Sequence, residues 1–118
     1  MIRVYVAGKY NDTSVIGVLR NMRRGIWVSV KLMRKGYAPY IPWTDWILAM
    51  FADMPGETYK AVSIEWLRVS QVMFLVPGWE SSPGTLDELK IAQQLGIPVF
   101  TTFRALQQWA RKVEIGTV

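Results

Sequence analysis

Two residue types that carry much of enzyme chemistry are missing from this 118-residue chain, which has no cysteine and no histidine. The lack of cysteine excludes disulfide bonds, thiolate nucleophiles and cysteine-ligated metal sites. The lack of histidine excludes an imidazole base, a serine–histidine pair and histidine-ligated zinc. Any chemistry in this chain must therefore use carboxylates, lysine, tyrosine, hydroxyl groups or backbone amides.

A long apolar run is missing as well. No stretch approaches the roughly 18 residues of a membrane-spanning helix, and the apolar start of the chain is interrupted by Gly8, too early for a signal peptide. We therefore expect no membrane partner and a cytoplasmic location. Because 51% of the residues are apolar and only 19% are charged, we expect one globular domain over residues 1–118.

The charge balance is basic, with 14 Lys and Arg residues against 9 Asp and Glu residues and a net charge of +5. Such a surplus suits an anionic partner, but solvated surface charges explain it equally well. Six cations fall on the polar face of the first predicted helix: Arg20, Arg23, Arg24, Lys31, Arg34 and Lys35. An amphipathic helix needs charge on that face in any case, so we do not expect nucleic acid to be the main partner.

Short apolar segments alternate with longer segments of helical spacing. The pattern predicts strands over residues 2–7, 37–41, 72–76 and 97–100, and helices over 15–35, 59–69, 85–95 and 102–113. This alternation is typical of βαβ units, and it predicts an α/β fold with a mostly parallel sheet of four or five strands. In the first helix, five residues form the predicted apolar face: Ile16, Leu19, Ile26, Val30 and Met33.

Ligands of such folds bind outside the carboxyl ends of the strands, which draws attention to the loops at residues 8–13 and 77–84. The second loop leads into a helix whose first turn has unpaired N–H groups and a partial positive charge. Small or hydroxyl-bearing residues surround that turn, which suits an anion: Ser81, Ser82, Gly84 and Thr85. Ordinary helix capping by Ser82 explains the same residues. Trp43 and Trp79 also lie in loops, where they either pack or stack on a nucleobase.

Two sets of motifs carry a family resemblance. The first set is Tyr5-Val6-Ala7-Gly8, Asn21-Met22-Arg23-Arg24 and Gly36-Tyr37-x-Pro39-x-x-Pro42. The second set is Val76-Pro77-Gly78-Trp79-Glu80-Ser81-Ser82-Pro83-Gly84-Thr85-x-x-Glu88-x-x-x-Ala92 and Gly96-Ile97-Pro98-Val99. Together they resemble the nucleoside 2-deoxyribosyltransferase superfamily, and its small phage and bacterial members most of all, over residues 2–100.

The resemblance implies a Rossmann-like three-layer sandwich, a homodimer or higher homo-oligomer, and a nucleotide-like substrate whose N-glycosidic bond is cleaved without a metal or an organic cofactor. Glu88 matches the family's nucleophile, and Tyr5 matches the tyrosine that orients it. Ser82 matches the position where nucleotide hydrolases of the family carry serine, so we expect the substrate to be a nucleoside 5′-monophosphate. Phosphate contacts would come from Ser81, Ser82, Gly84 and Thr85, and other substrate contacts from Gly8, Lys9, Trp43 and Trp79.

The chain departs from the family pattern at three positions. Ser63 stands where relatives usually carry an aspartate that helps to protonate the departing base, Gln71 replaces an acidic residue, and Lys9 replaces a proline. Asp45, just after the second predicted strand, is the candidate replacement acid. The alternative is a protein that binds or sequesters nucleotides and has lost the chemistry together with the acid at position 63.

Overall fold

The computed structural model describes residues 1–116, and the helices and strands follow the predicted alternation. The strands are β1 (Arg3–Ala7), β2 (Ala38–Tyr40), β3 (Val72–Leu75) and β4 (Val99–Phe100). The helices are α1 (Val15–Arg34), α2 (Asp45–Phe51), α3 (Gly56–Arg68), α4 (Pro83–Gln94) and α5 (Phe103–Gly116). Two short 3₁₀ turns, Pro42–Thr44 and Trp79–Ser81, precede α2 and α4.

The four strands form one parallel sheet in the order β2-β1-β3-β4. The register sets Tyr5 of β1 beside Tyr40 of β2 and Met73 of β3. Parallel strands need crossover connections, and the helices supply them and cover both faces of the sheet. The prediction of a Rossmann-like three-layer α/β fold is therefore confirmed.

Each face of the sheet has its own apolar layer because side chains alternate along the strands. On one face, Val6 and Phe74 pack with Leu32 of α1 and Leu106 of α5. On the other face, Tyr5, Ala7, Met73 and Leu75 pack with Leu67 of α3 and Ala92 of α4. Tyr5 is thus oriented toward α3 and α4 by its position in β1, away from α1 and α5.

The prediction that this apolar face of α1 packs into the core is wrong. Ile16, Leu19, Ile26 and Met33 are exposed, and Val30 is only partly buried. The side that packs on the sheet is instead made of smaller residues: Gly17, Val18, Gly25, Val28, Ser29 and Leu32.

The Trp43 ring explains why α1 packs by its small residues. A Cβ atom at Gly25 would lie 3.0 Å from that ring, so only glycine lets the helix come this close without displacing it. The Ser29 hydroxyl is satisfied within the helix, where it donates to the Gly25 carbonyl oxygen at 2.9 Å. Hydropathy alone does not weigh such small residues, so it selects the wrong side of α1.

Several boundaries differ from the predicted ones by a few residues. Ser14 caps α1, and its hydroxyl accepts a hydrogen bond from the Gly17 N–H at 3.0 Å. The connection after β2 holds the helix α2, and α3 starts at Gly56. No helix within residues 1–116 is both long and apolar enough to cross a membrane.

Candidate active site

The strand order creates a crevice between β1 and β3. The chain leaves β1 toward β2 on one side and leaves β3 toward β4 on the other, so the connections after these two central strands diverge. In open α/β sheets this switch point, outside the carboxyl ends of the strands, is where ligands bind. The loops at residues 8–13 and 77–82 flank it, as the sequence predicts.

Tyr5 and Glu88 meet at this crevice although 83 positions separate them. The Tyr5 side chain is fully buried in β1, and its phenol donates a hydrogen bond to Oε2 of Glu88, in the second turn of α4. Because β1 and α4 are both packed into the core layer on this face of the sheet, the bond fixes the orientation of the carboxylate.

Burial dominates the electrostatics of this pair. Desolvation raises the pKa of Glu88 to about 6, the Tyr5 hydrogen bond opposes that rise, and the negative charge of Asp45 adds to it. Burial and the neighbouring Glu88 also raise the pKa of Tyr5 above its usual range. Tyr5 therefore stays a neutral donor at physiological pH, while Glu88 is mostly ionised and partly desolvated.

Two adjoining cavities open beside Glu88. The larger, of about 180 Å³, is lined by Tyr10, Pro42, Asp45, Gly56, Tyr59, Lys60, Ser63, Gly84 and Glu88. The smaller, of about 50 Å³, is lined by Ala7, Gly8, Tyr10, Pro42, Trp43, Ser82, Gly84, Thr85 and Glu88. Because Glu88 and Gly84 line both, they form one cleft that runs from the start of α4 toward α2 and α3.

The structure brings Asp45 into this cleft with Glu88. Asp45 is the first residue of α2, and burial raises the pKa of its carboxyl group. Ser63 of α3 is only 7% exposed, and its single hydroxyl proton lowers the pKa of whichever group it is donated to, Asp45, Tyr5 or Tyr40. Position 63 is thus occupied by a hydroxyl close to both acids and both tyrosines of the cluster.

The start of α4 forms the other end of the cleft. Ser82 is the cap residue, and its hydroxyl oxygen accepts from the Thr85 N–H at 3.3 Å and from the Thr85 hydroxyl at 3.0 Å. The Ser82 proton stays available for a ligand, and the Gly84 N–H has no partner within the helix. Thr85 is buried and supports the cap, so its own hydroxyl is already committed.

The five other predicted residues lie in varied surroundings. Gly8 lines the smaller cavity, and so does Trp43, but the Trp43 side chain is 3% exposed and belongs to the core. The Ser81 hydroxyl donates to the Gly78 carbonyl oxygen at 3.1 Å, outside both cavities. Lys9 lines a separate surface depression, and Trp79 packs against the core layer under α4.

Sequence reasoning missed three residues of the cleft: Tyr10, Tyr59 and Lys60. The Tyr59 hydroxyl is buried and has no hydrogen-bond partner among the residues that the structure describes. Lys60 pairs with Asp87 at 3.3 Å at the rim. Residues 56, 59, 60 and 63 share one face of α3, but this spacing does not by itself indicate that the face lines a cleft.

Comparison with known proteins gives one family. Residues 2–101 of the chain match the family described as "Domain of unknown function (DUF4406)". No curated protein matches the chain. The match spans β1 to β4 and so contains both sides of the cleft.

Proposed function

The chain belongs to the DUF4406 family, and we propose that it cleaves or transfers at the N-glycosidic bond of a nucleoside or deoxynucleoside 5′-monophosphate. This is the activity that the resemblance to the nucleoside 2-deoxyribosyltransferase superfamily implies. The observation that carries the proposal is the buried hydrogen bond from Tyr5 to Glu88, because it directs a desolvated carboxylate at a cavity that also contains a second acid, Asp45.

Glu88 is the nucleophile of the proposed reaction. Its carboxylate attacks C1′ of the sugar, a C1′–O bond to the enzyme forms, and the C1′–N bond breaks with its electron pair leaving on the base. Water or a second base then attacks C1′ and releases the carboxylate. Desolvation makes the carboxylate more reactive than it is in water, and the Tyr5 hydrogen bond holds it in position.

Asp45 supplies the proton to the departing base. Burial raises the pKa of this carboxyl group, which favours the protonated form that a general acid needs. When water is the acceptor, the Asp45 carboxylate left by this transfer takes the proton back. Asp45 lies at the start of α2, across the cleft from α4. Its position therefore differs from that of the acid that is usual in the nucleoside 2-deoxyribosyltransferase superfamily.

The first turn of α4 binds the 5′-phosphate. Ser82 and the Gly84 N–H line the smaller cavity, where the helix dipole favours an anion. A hydroxyl at position 82 donates to a phosphate, whereas a carboxylate at that position repels it. These contacts favour the monophosphate over the free nucleoside.

Ser63 favours a second candidate, a protein that binds or sequesters nucleotides without cleaving them. This hydroxyl cannot protonate a leaving base, and it stands where relatives carry the acid. The cleft would then retain its phosphate and ring contacts, while Glu88 would hold the sugar by hydrogen bonding. Base release separates the two candidates.

The test is a panel of ribonucleoside and deoxyribonucleoside 5′-monophosphates, with the matching nucleosides, analysed for free base by chromatography. We expect base release from at least one monophosphate, and a loss on the order of a thousandfold or more in Glu88→Gln, since the amide still accepts from Tyr5 but cannot attack C1′. Mass spectrometry of quenched wild-type reactions should show a sugar phosphate attached to the protein.

The matched control is Glu80→Gln, which removes an exposed carboxylate outside the cleft and should leave turnover unchanged. Tight binding of a monophosphate without release of its base by the wild type would favour the binding protein instead. If no nucleotide binds and none is cleaved, both candidates are wrong.

A further inference from the structure

A space larger than the Glu88 cleft lies on the opposite face of the sheet. It is a groove of about 550 Å³ between α1 and the start of α5, lined by Arg20, Arg23, Arg24, Trp27, Val28, Lys31, Phe74, Pro77, Thr101 and Phe103. Phe74 and Phe103 belong to the core layer under α1 and α5, whereas the Glu88 cleft belongs to the layer under α3 and α4. The volume falls within the range of about 300–1,000 Å³ that is typical of small-molecule sites.

Four cations line the groove without an acidic counterpart. Among residues 1–116, none of these four side chains forms an ion pair with a carboxylate. Arg24 donates to the Pro77 carbonyl oxygen at 3.3 Å, and Lys31 lies 5.9 Å from the centre of the Phe103 ring. Since α1 has no acidic residue at all, the positive charge is not neutralised locally, and the groove attracts an anion.

The rest of the lining is apolar and aromatic. Phe74 and Phe103 stack with ring centres 4.9 Å apart and, with Val28 and Pro77, form an apolar floor. Trp27 stands at the edge and is 50% exposed, which leaves much of its surface open to a ligand. Such a large side chain, exposed beside several guanidinium groups, is suited to stacking on a planar ring.

We propose that this groove is a second binding site, for a phosphorylated aromatic molecule of nucleotide size. The guanidinium groups of Arg20 and Arg23 bind the phosphate, for which their forked donors are suited. The planar ring lies against Trp27 over the apolar floor. The site is separate from the Glu88 cleft, and the segment after β3 joins them, because Pro77 lines the groove and Ser82 lines the cleft.

The experiment measures binding of adenosine and thymidine 5′-monophosphates by calorimetry, in a Glu88→Gln background so that no turnover intervenes. The probes are compared with their nucleosides, with inorganic phosphate and with a single-stranded oligonucleotide. We expect two binding sites for a monophosphate, and we expect the double variant Arg20→Gln/Arg23→Gln to lower the affinity of one of them about tenfold or more. Trp27→Ala should weaken the same site about tenfold, because stacking is lost.

The matched control is Arg34→Gln/Lys112→Gln, which removes the same charge from exposed positions outside the groove and should leave affinity unchanged. An equal loss in the control, or no loss in the groove variants, would overturn the proposal. So would inorganic phosphate binding as tightly as the nucleotides, or an oligonucleotide binding where mononucleotides do not. A site weakened only by Ser82→Asp belongs to the cleft, an outcome that contradicts the groove proposal alone.

Discussion

The ionisation of a single side chain, Glu88, sets the chemistry available to the cleft. Burial makes its charged form costly, and the Tyr5 phenol recovers part of that cost by donating a hydrogen bond. Asp45 acts in the opposite direction, because a second negative charge in the cleft favours the protonated form of Glu88. The pKa of Glu88 therefore depends on whether Asp45 is charged.

The first prediction concerns the pH dependence of turnover. Because Glu88 must be ionised while Asp45 keeps its proton, we expect a bell-shaped dependence of kcat/KM on pH, with one limb near the pKa of Glu88, about 6. Tyr5→Phe removes a hydrogen bond that lowers the pKa of Glu88, so that limb should move to higher pH. Asp45→Asn removes the proton donor, so turnover should fall and the profile should lose its other limb.

A displaced limb in Tyr5→Phe and a lost limb in Asp45→Asn distinguish these roles from general damage to the fold, which lowers turnover at every pH alike. A profile of unchanged shape in either variant would contradict the assigned roles. The measurement is a pH–rate profile on whichever monophosphate releases its base, with circular dichroism to check that each variant stays folded.

Residue by residue, the sequence predicted the cleft only in part. Tyr5 and Glu88 were found through motif resemblance, since no spacing rule links a residue in β1 to one in α4. Tyr10 and Tyr59 carry no local signal of function, because tyrosines in a loop and on a helix are usually packing residues. Their place in the cleft depends on how α3 and the first loop pack, which is a tertiary property.

The start of α4 is the element whose local chemistry bears most directly on substrate choice. Its cap residue, Ser82, both ends the loop and faces the smaller cavity. Helix capping and anion binding need the same arrangement of free N–H groups. A substitution that preserves the cap but changes its charge therefore tests binding without unfolding the helix.

The second prediction is that Ser82→Asp weakens the binding of a nucleoside 5′-monophosphate by about tenfold or more, whereas the affinity for the matching nucleoside changes little. Aspartate is as good a cap as serine, so α4 should persist, but its charge repels the phosphate. Calorimetry on both ligands measures the difference. The control is Ser14→Asp at the start of α1, where the Ser14 hydroxyl accepts from the Gly17 N–H at 3.0 Å, outside the cleft and the groove, and it should leave both affinities unchanged. Equal losses for nucleoside and monophosphate would contradict the phosphate assignment.

At the scale of elements, strand and helix order could be predicted from the sequence, but the orientation of α1 could not. Hydropathy favoured the stripe containing Leu19 and Ile26, whereas close packing against Trp43 selected the side with Gly25. The error is physical in origin. A helix that must approach a sheet closely uses small residues, and these contribute little to a hydropathy pattern.

For the whole molecule, the exposed stripe of α1 is an apolar helix surface that the sheet leaves uncovered. Leu19, Ile26 and Met33 recur at intervals of seven residues, with Ile16 beside them, and all four are more than 40% exposed. A seven-residue repeat of this kind is suited to pairing with another helix. The resemblance implies a homo-oligomer, and this stripe is where we expect a second copy to pack.

The third prediction is that light scattering gives at least twice the 13.5 kDa mass of one chain. Leu19→Asp/Ile26→Asp places two charges in the stripe and should reduce the mass to that of one chain, since neither side chain supports the core. Gln108→Asp, on the exposed part of α5, is the control and should leave the mass unchanged. A monomeric wild type, or an oligomer that survives the double substitution, would contradict this interface.

The outer strands of the sheet restrict how another chain can join it. β2 spans three residues and β4 spans two, so each edge of the sheet offers only a few free amide and carbonyl groups to an added strand. A peptide laid alongside would gain too little main-chain pairing to remain there, and stacking into fibrils by strand addition is disfavoured for the same reason. We therefore expect another protein to bind this fold through its outer helices.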